Sequence, residues 1–384
     1  MTAIYLDNNA TTLVADEVLA AMTPYYREFY GNPHSAHSLG RKANEGLEQA
    51  RRSVATLIGC DASEVVFTSC GTEGNALAIR GLLRGTPDRR RIVTTAVEHP
   101  SVITLLRALQ SEGLIELVVV PVGGDGEIDL DAMRAAIDDT TLLVSVMLAQ
   151  NETGVIHPVR AIADLAHARG ALIHVDAVQA AGKIEISTRD LDADFLTISG
   201  HKFHAPKGGG ALAIRRGLTL APLWYGGGQE LGLRSGTEAV PSLIGLGAAA
   251  ELARSHLHTF SEVVALRDRL ESSVVSMIDN VSINGAPQPR LGNTANIAFH
   301  DTAGDAIVRA LDAGGICASA GAACDSGKAE PTATMKAMRK PLNVALGAVR
   351  FSLSRYTIAD EIDTVVAVLP RIIREMRPLQ SATR

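Results

Sequence analysis

The stretch His174–Gln179 reads HVDAVQ, and Leu196–Lys202, a little further along the chain, reads LTISGHK. Each stretch is an apolar run that ends in polar residues, which is typical of a buried strand at the point where it leaves a sheet. The first run ends at Asp176, and the second leads to Lys202. Because ligands of open α/β sheets bind outside the carboxyl ends of the strands, we expect Asp176 and Lys202 to lie at one functional edge.

On both sides of these two runs, short apolar segments alternate with amphipathic ones. Strands are predicted at Val65–Phe67, Ile92–Thr94, Leu117–Pro121, Leu142–Met147 and Leu172–Asp176, and helices at Glu73–Leu83, Ser101–Ser111, Asp129–Ile137 and Val159–Arg169. This alternation predicts an α/β fold with a mostly parallel sheet that is buried on both faces. The pattern changes after about Gly217, and we expect a second, smaller α/β domain from about residue 256 onward.

Composition and charge exclude several classes of protein. The 384 residues carry a formal net charge of −6 without a strongly basic block, which argues against nucleic acid as a partner. No signal-peptide pattern or membrane-length apolar run is found, so we expect a cytoplasmic protein without membrane contact. The cysteines, Cys60, Cys70, Cys317 and Cys324, are too sparse for a disulfide framework, so at least one reduced thiol needs another purpose.

Lys202 and Asp176 together suit one cofactor, pyridoxal 5′-phosphate (PLP). A lysine amine can hold the PLP aldehyde as a Schiff base, and a buried aspartate can keep the pyridinium nitrogen protonated. The alternative is a surface lysine at a strand end. That alternative would leave Gln179, Ser199 and His201, which lie at strand ends of the same predicted sheet, without an explanation.

Three further segments place polar residues after predicted strands. Thr68–Glu73 opens a helix, where Gly71 and Thr72 could receive a phosphate, although a plain helix cap would look the same. His99 could stack on a flat cofactor and move protons, or simply bond to the backbone. Asn151 could meet a ring oxygen or a substrate carboxylate, or form a turn with the glycine that follows.

The second predicted domain contributes a thiol and a cation. Cys324 lies in the small-residue stretch Ala318–Gly327, which should present the thiol rather than bury it, the alternative being an inert buried cysteine. Arg350 is the one charge in the alternating run Val349–Ser354. An arginine in that position can bind a carboxylate through two nitrogens or form a structural ion pair.

This ordered set of motifs resembles the cysteine desulfurases of the NifS/IscS type, members of the class V aminotransferase family with PLP fold type I. The matching stretches are Tyr5–Thr12, Phe67–Glu73, Glu98–Pro100, His174–Gln179, Ser199–His204, Gly226–Glu230, Arg234–Thr237 and Arg350–Thr357. The resemblance implies a large domain over residues 15–255, with a mostly parallel seven-stranded sheet flanked by helices. Residues 1–14 and 256–384 would form a small domain with a mobile loop that carries the catalytic cysteine.

The resemblance also assigns roles by position. Lys202 would be the Schiff-base lysine, Asp176 the partner of the pyridinium nitrogen, and His99 the residue stacked on the ring. Further cofactor contacts are implied for the phenolic oxygen region at Asn151 and Gln179 and for the phosphate at Gly71, Thr72, Ser199 and His201. Thr237 would reach the phosphate held by the partner subunit, which implies a homodimer. Arg350, aided by Asn151, would bind the substrate carboxylate.

The reaction that the resemblance implies converts L-cysteine to L-alanine. Lys202 would act as base for the α-proton, and the Cys324 thiolate would take the sulfur as a persulfide. The sulfur would pass to an acceptor or iron–sulfur scaffold protein, with transient iron–sulfur coordination through Cys324. Ala322 and Asp325 depart from the family's loop, and a carboxylate beside Cys324 disfavours the thiolate, which Lys328 would offset. Alternative readings are a selenocysteine lyase, a class V aminotransferase or a non-catalytic sulfur-carrying scaffold.

Overall fold

Strands and helices alternate along the chain as the sequence predicts. The computed structural model describes residues 3–86, 89–320, 322–323 and 330–377. The strands are β1 (Ile4–Tyr5), β2 (Val65–Thr68), β3 (Arg91–Thr95), β4 (Glu116–Val120), β5 (Thr141–Met147), β6 (Leu172–Asp176), β7 (Phe195–Ser199), β8 (Gly210–Ile214), β9 (Val281–Ile283), β10 (Thr294–Phe299), β11 (Ile316–Cys317), β12 (Ser319–Ala320), β13 (Ala322–Ala323), β14 (Glu330–Pro331) and β15 (Ala348–Ser352).

The helices lie between these strands, and the four that were predicted between residues 73 and 169 are found within a few residues of their predicted bounds. The helices are α1 (Asp16–Met22), α2 (Pro24–Arg27), α3 (Ser38–Ile58), α4 (Gly71–Gly85), α5 (Pro100–Ser111), α6 (Leu130–Ala136), α7 (Val159–His167), α8 (Val240–His256), α9 (Phe260–Met277), α10 (Gly304–Ala313), α11 (Ala333–Ala337), α12 (Leu342–Ala345) and α13 (Ala359–Met376). Within the described part of the chain, no helix combines the length and apolar character needed to cross a membrane.

A seven-stranded sheet in the order β2-β8-β7-β6-β5-β3-β4 forms the centre of the fold. The strands from β4 through β3, β5 and β6 to β7 pair in parallel, so the prediction of a mostly parallel sheet is confirmed. β8 is the exception, because it runs antiparallel to both β2 and β7. The connection from Ser199 to Gly210 contains no crossover helix, and a parallel return would require one.

Helices cover both faces of this sheet, and consecutive residues of β2 show how. Val65 and Phe67 belong to a core with residues of α1, α3, α7 and α8, whereas Val66 belongs to a second core with residues of α4 and α5. Alternate side chains of a strand point to opposite faces, so the continuous apolar run of β2 supplies both cores. This explains why the strands read as unbroken apolar runs in the sequence.

A smaller antiparallel sheet, in the order β12-β15-β10-β9, follows later in the chain. It packs with α9, α10 and α13 around a separate core that runs from Val263 to Ile373 and also includes Leu6. β1 pairs in parallel with β11, which brings the residues after Tyr5 to this core. We propose the division into residues 15–255 and residues 1–14 with 256–384 as domains, supported by this separation of the cores.

A buried ion pair fixes the glycine-rich segment that precedes α8 against the central sheet. Arg51 of α3 donates to both carboxylate oxygens of Glu230, at 2.7 and 2.8 Å, and its side chain is 12% exposed against 1% for that of Glu230. The same carboxylate accepts the backbone N–H of Phe67 in β2, at 2.7 Å. Residues 226–237 are therefore held next to the strand that leads to α4.

Removing Arg51 should destabilise the protein strongly, because the carboxylate of Glu230 would stay buried without its counter-ion. We expect Arg51→Ala to lower the free energy of unfolding by about 3–5 kcal/mol, measured by urea denaturation. The control is Arg52→Ala, which should change stability by less than about 0.5 kcal/mol. Arg52 is exposed, and within the described residues its side chain bonds to Gln49 alone. Equal effects of the two variants would contradict the assignment.

Candidate active site

A cavity of about 200 Å³ lies at the carboxyl edge of the central sheet. The predicted site residues that line it are Gly71, Thr72, His99, Asn151, Asp176, Gln179, Ser199, His201 and Lys202. They come from the ends of different strands, which meet because the strands are parallel. A larger cavity of about 400 Å³ shares only Lys202 with this set, so the smaller cavity is the candidate active site.

Lys202 lies on a 3-10 turn directly after β7. Its Nζ donates to the carbonyl oxygens of Asn9 and Ala10, at 2.6 and 2.8 Å. Burial, followed by the nearby charge of Arg350, lowers the pKa of Lys202 to about 8. An appreciable share of the amine is therefore neutral near physiological pH, as a nucleophile or base must be.

Asn9 is the buried residue to which several parts of the site are bonded. Its carbonyl oxygen also accepts Gln179 Nε2, at 2.9 Å. Its side-chain Oδ1 accepts Lys183 Nζ and Asn293 Nδ2, both at 3.0 Å, and its Nδ2 donates to Thr294 Oγ1 at 2.9 Å. Both polar atoms of the Asn9 side chain are thus bonded, and Asn293 and Thr294 connect the site to the smaller sheet.

The carboxylate of Asp176 is held by two N–H donors. Asn75 Nδ2 donates to Asp176 Oδ2 at 2.8 Å, and the backbone N–H of Val178 donates to Oδ1 at 3.0 Å. The same Asn75 amide donates to Ser101 Oγ, at 2.9 Å. These bonds fix the orientation of the buried carboxylate at the end of β6, where it lines the cavity.

His99 caps α5 and lines the cavity at the same time. Its Nδ1 accepts the backbone N–H of Ser101 at 3.1 Å and lies 2.8 Å from Ser101 Oγ, which places the proton of the neutral ring on Nε2. Burial lowers the pKa of His99, and the charge of Lys202 adds to this, against Asp176. The backbone-bonded histidine that the sequence left open is present, and it is compatible with a ring that faces the cavity.

The N-terminus of α4 and the end of β7 form an anion-binding corner of the cavity. Gly71 begins α4, and a Cβ at that position would lie 2.7 Å from Val178 Cγ2, so only glycine leaves the backbone accessible. Ser199 Oγ is buried and has no hydrogen-bond partner among the described residues. Free helix N–H groups and an unpaired hydroxyl are what a phosphate requires.

His201 lines the same cavity in its neutral form. Burial, followed by the charges of Lys202, Lys207 and Lys183, lowers the pKa of His201 to about 4. Its Nδ1 lies 3.2 Å from Thr11 Oγ1. A neutral imidazole can donate one hydrogen bond without adding charge to this basic corner.

Arg350 lies at the side of the site, in β15, and does not line the cavity. Its Nη2 forms an ion pair with Asp7 Oδ1 at 2.7 Å, and its Nη1 donates to the carbonyl oxygen of Asn151 at 2.9 Å. The structural ion pair that the sequence left as an alternative is therefore formed. Arg350 Nε is buried and has no partner within the described residues.

Glu98, directly before His99, is a buried carboxyl group. Burial raises the pKa of Glu98 to about 8, and the charge of Asp176 adds to this, against hydrogen bonds from Thr95 and the backbone of Met147. Thr95 Oγ1 and the Met147 N–H both donate to Oε1, at 2.6 and 3.2 Å. The group is therefore protonated at neutral pH.

Two predicted site residues that the structure describes, Arg350 and Thr237, do not line the cavity. Thr237 is exposed and lies outside its lining. Cys324 falls outside the described residues, as do Asp325 and Lys328. Among the residues that are described, no group of three or more histidine, cysteine, aspartate or glutamate side chains could hold a metal ion.

Four residues at the site were not predicted from the sequence: Asn9, Asn75, Ser101 and Lys183. Two of them carried a usable signal in their spacing. Asn75 follows Gly71, and Lys183 follows Gln179, by one helical turn, so each falls on the side of its predicted partner. Asn9 carried no such signal, because its partners lie far along the chain.

Comparison with known proteins identifies the class to which this fold and site belong. Residues 4–365 match the class-V aminotransferases, so the chain belongs to that family. It is 50% identical over 379 residues to cysteine desulfurase 2 of Trichormus variabilis, covering 99% of this chain and 95% of the relative. It is 46% identical to the cysteine desulfurase NifS of Azotobacter vinelandii, covering 98% and 94%. The predicted family resemblance is confirmed.

Solved structures agree with this assignment. A NifS-like protein superposes with a TM-score of 0.92 at 36% identity, covering 98% of this chain and all of that chain. Another, the NifS-like protein of Rickettsia africae, gives a TM-score of 0.87 at 30% identity, with 97% and 99% covered. The family depends on PLP, which confirms the cofactor predicted from the sequence.

The residues present fit this cofactor. The unpaired hydroxyl of Ser199 and the open backbone at Gly71 suit its phosphate, and Lys202 can bind its aldehyde. The carboxylate of Asp176, oriented by Asn75, suits a protonated ring nitrogen.

A methyl group at Gly71 should obstruct the anion-binding corner. We expect Gly71→Ala to weaken PLP retention by roughly tenfold, because overpacking against Val178 costs about 1–3 kcal/mol. The double variant Gly71→Ala/Val178→Ala removes the opposing Cγ2 and should recover most of the loss. The measurement is the PLP content of the purified protein during dialysis. A double variant as defective as Gly71→Ala alone would refute the steric cause.

Glu98 should make stability depend on pH. Between its ordinary pKa and about 8, Glu98 has lost its proton in the unfolded chain and keeps it in the folded chain, so the contribution of Glu98 to the free energy of unfolding falls as pH rises. The slope is about 1.4 kcal/mol per pH unit at most, and Glu98→Gln should remove it.

The measurement is urea denaturation at about pH 5.5 and about pH 7.5 for both proteins. The exposed Glu112→Gln variant is the control and should keep the slope of the native chain. An unchanged slope in Glu98→Gln would show that Glu98 is not the titrating group.

Proposed function

We propose that this chain is a PLP-dependent cysteine desulfurase that converts L-cysteine to L-alanine and holds the sulfur as a persulfide on Cys324. One combined observation carries the proposal: Lys202 and Asp176 line one cavity with an unpaired anion-binding corner, in a chain whose near-full-length relatives are named cysteine desulfurases.

The side chains around the cavity would have separate roles in binding the cofactor and in activating the substrate. Ser199, Gly71, Thr72 and His201 would bind the phosphate, and Asp176 would hold the ring nitrogen in its protonated form. PLP, when bound, supplies an electron sink that makes the α-proton of the bound amino acid acidic. His99, Gln179 and Asn151 would keep the ring in place, and Lys202, released by the substrate amine, would take the α-proton.

The sulfur step needs a thiol that can reach the cavity. The thiolate of Cys324 would attack the sulfur of the substrate, so that a sulfur–sulfur bond forms while the bond from sulfur to the β-carbon breaks. The electron pair of the broken bond stays with the carbon skeleton, which takes up protons and leaves as alanine. The ribbon residues Ala322–Ala323 and Glu330–Pro331, which pair with each other, flank this cysteine in the sequence.

Arg350 would bind the substrate carboxylate, with help from Asn151. The geometry that supports this is the ion pair with Asp7, which keeps the guanidinium at the side of the site. A substrate carboxylate would exchange for that of Asp7, and the unpaired Nε leaves one N–H for it.

A homodimer is the assembly that we propose, with Thr237 reaching the phosphate site of the partner subunit. Support comes from the segment that precedes Thr237, where large apolar side chains are exposed: 45% for Trp224, 81% for Tyr225 and 73% for Leu231. A second copy of the chain would cover them.

We further propose a cytoplasmic enzyme that passes sulfur to an acceptor or scaffold protein for iron–sulfur cluster assembly. Support comes from the NifS name of the Azotobacter vinelandii relative. Iron–sulfur coordination at the persulfide of Cys324 would be transient, and it concerns the cargo of the reaction.

Replacing Cys324 separates this function from its alternatives. We expect Cys324→Ala to lower sulfide release and alanine formation from L-cysteine by about 100-fold or more, with PLP still bound. Cys60→Ala is the control, because burial raises the pKa of Cys60 to about 12 and leaves it unreactive. Undiminished turnover in Cys324→Ala would favour an aminotransferase or a selenocysteine lyase. Absence of PLP absorbance in the unaltered protein would favour a non-catalytic scaffold.

A further inference from the structure

Lys183 is a buried lysine beside the candidate active site, and it has no acidic partner within the part of the chain that the structure describes. Its residue is 7% exposed, and its Nζ donates to Gln179 Oε1 at 2.8 Å and to Asn9 Oδ1 at 3.0 Å. Both acceptors are neutral amide oxygens. A buried lysine without a carboxylate is costly, so its retention calls for an explanation other than charge pairing.

The two bonds decide how two amide groups are oriented. A lysine amine in this position donates, so Gln179 must turn its oxygen to Lys183 and its nitrogen to the carbonyl of Asn9. In the same way, Asn9 must turn its oxygen to Lys183, which leaves its nitrogen for Thr294 Oγ1. The Asn9 amide has further partners, because its Oδ1 also accepts Asn293 Nδ2 and its Nδ2 also donates to the carbonyl oxygen of Asn151 at 3.2 Å. Gln179 Oε1 has Lys183 as its one donor among the described residues, so without Lys183 that oxygen would be buried and unpaired.

Gln179 and Asn9 both affect the position of Lys202. The carbonyl oxygen of Asn9 accepts Gln179 Nε2 and Lys202 Nζ together, so the two nitrogens share one acceptor. Without Lys183, the Gln179 amide would be held through its nitrogen alone among the described residues, and a shift of that amide would change the acceptor that it shares with Lys202. Lys183 is therefore connected to Lys202 through Gln179 and Asn9, and it does not itself line the 200 Å³ cavity.

The surroundings disfavour the charged form of Lys183. Burial lowers the pKa of Lys183 well below its ordinary value, and the charges of Lys202 and Arg350 lower it further. Both atoms that Nζ contacts are amide oxygens, to which the amine donates whether it is charged or neutral. The bonding pattern thus favours a role in orientation over a role as a counter-charge.

We propose that Lys183 is a positioning residue for the reaction: it supplies the donor that holds the Gln179 amide and, through the carbonyl oxygen of Asn9 that this amide shares with Lys202, it sets the place of the Lys202 amine. This inference rests on the proposed function, because it assumes that Lys202 binds PLP.

The test is the pH titration of the near-ultraviolet and visible absorbance of the purified holoenzyme, which reports the protonation of the lysine-bound cofactor. We expect Lys183→Met to shift the titration midpoint by about one pH unit. Lys183→Gln, which is uncharged but keeps an N–H donor, should shift it much less. The exposed Lys207→Met variant is the control for loss of a nearby positive charge and should leave the midpoint unchanged.

A double-variant comparison tests the route through Gln179. If Lys183 acts by orienting that amide, Gln179→Leu and Lys183→Met/Gln179→Leu should have the same midpoint. Additive shifts would overturn the proposal, and so would equal shifts in Lys183→Met and Lys183→Gln, which would indicate a charge effect. If Lys183→Met fails to fold, the single variant Gln179→Leu still tests the route, because an unshifted midpoint in that variant would overturn the proposal.

A purely structural role predicts a different result. Lys183→Met would then lower the free energy of unfolding without moving the midpoint, and that outcome overturns the inference. Failure of the proposed function is recognised separately, in the unaltered protein, by missing PLP absorbance or missing sulfide release from L-cysteine. An active native enzyme with an unshifted Lys183→Met variant would refute the role of Lys183 alone.

Discussion

The carbonyl oxygen of Asn9 is the point on which the arrangement of the site depends. It accepts the amine of Lys202 and the amide of Gln179. The Asn9 side chain is bonded to Lys183 beside the site and to Asn293 and Thr294 at the smaller sheet. One early residue therefore joins the carboxyl edge of the central sheet to the smaller sheet. Lys202 is held by the segment around Asn9, which lies outside its own strand. The position of Lys202 therefore requires both the central sheet and the smaller sheet to be in place.

Burial, rather than pairing with opposite charges, sets the pKa values of several groups at the carboxyl edge of the central sheet. It is the leading cause of the lowered pKa values of Lys202, His99 and His201 and of the raised pKa of Glu98. The two histidines and Glu98 are thereby mainly uncharged near physiological pH, and Lys202 has an appreciable neutral share. This suits a site that must exchange a proton and bind an anion. Asp176 differs, because two N–H donors hold its carboxylate in place.

The sequence predicted the sheet and the strand-end residues well because both depend on local patterns. Apolar runs mark buried strands, and parallel strands bring their ends together, so Asp176, Ser199 and Lys202 could be placed at one edge. The antiparallel direction of β8 and the contacts of Asn9 depend on tertiary pairing, which no periodicity reports. Arg350 was predicted as a charge near the site, but its bond to Asp7 could not be, since 343 positions separate them.

The pairing of early and late residues has a consequence for biosynthesis. A ribosome delivers the chain in sequence order, and early domains begin to fold before later ones emerge. Asp7 and Asn9 leave the ribosome long before Thr294 and Arg350, their partners in the folded protein. The central sheet can form while the lysine still lacks its carbonyl partners, and the cofactor pocket is completed only after nearly the whole chain has been translated. Capture of the cofactor in its final geometry is therefore a late, essentially post-translational event.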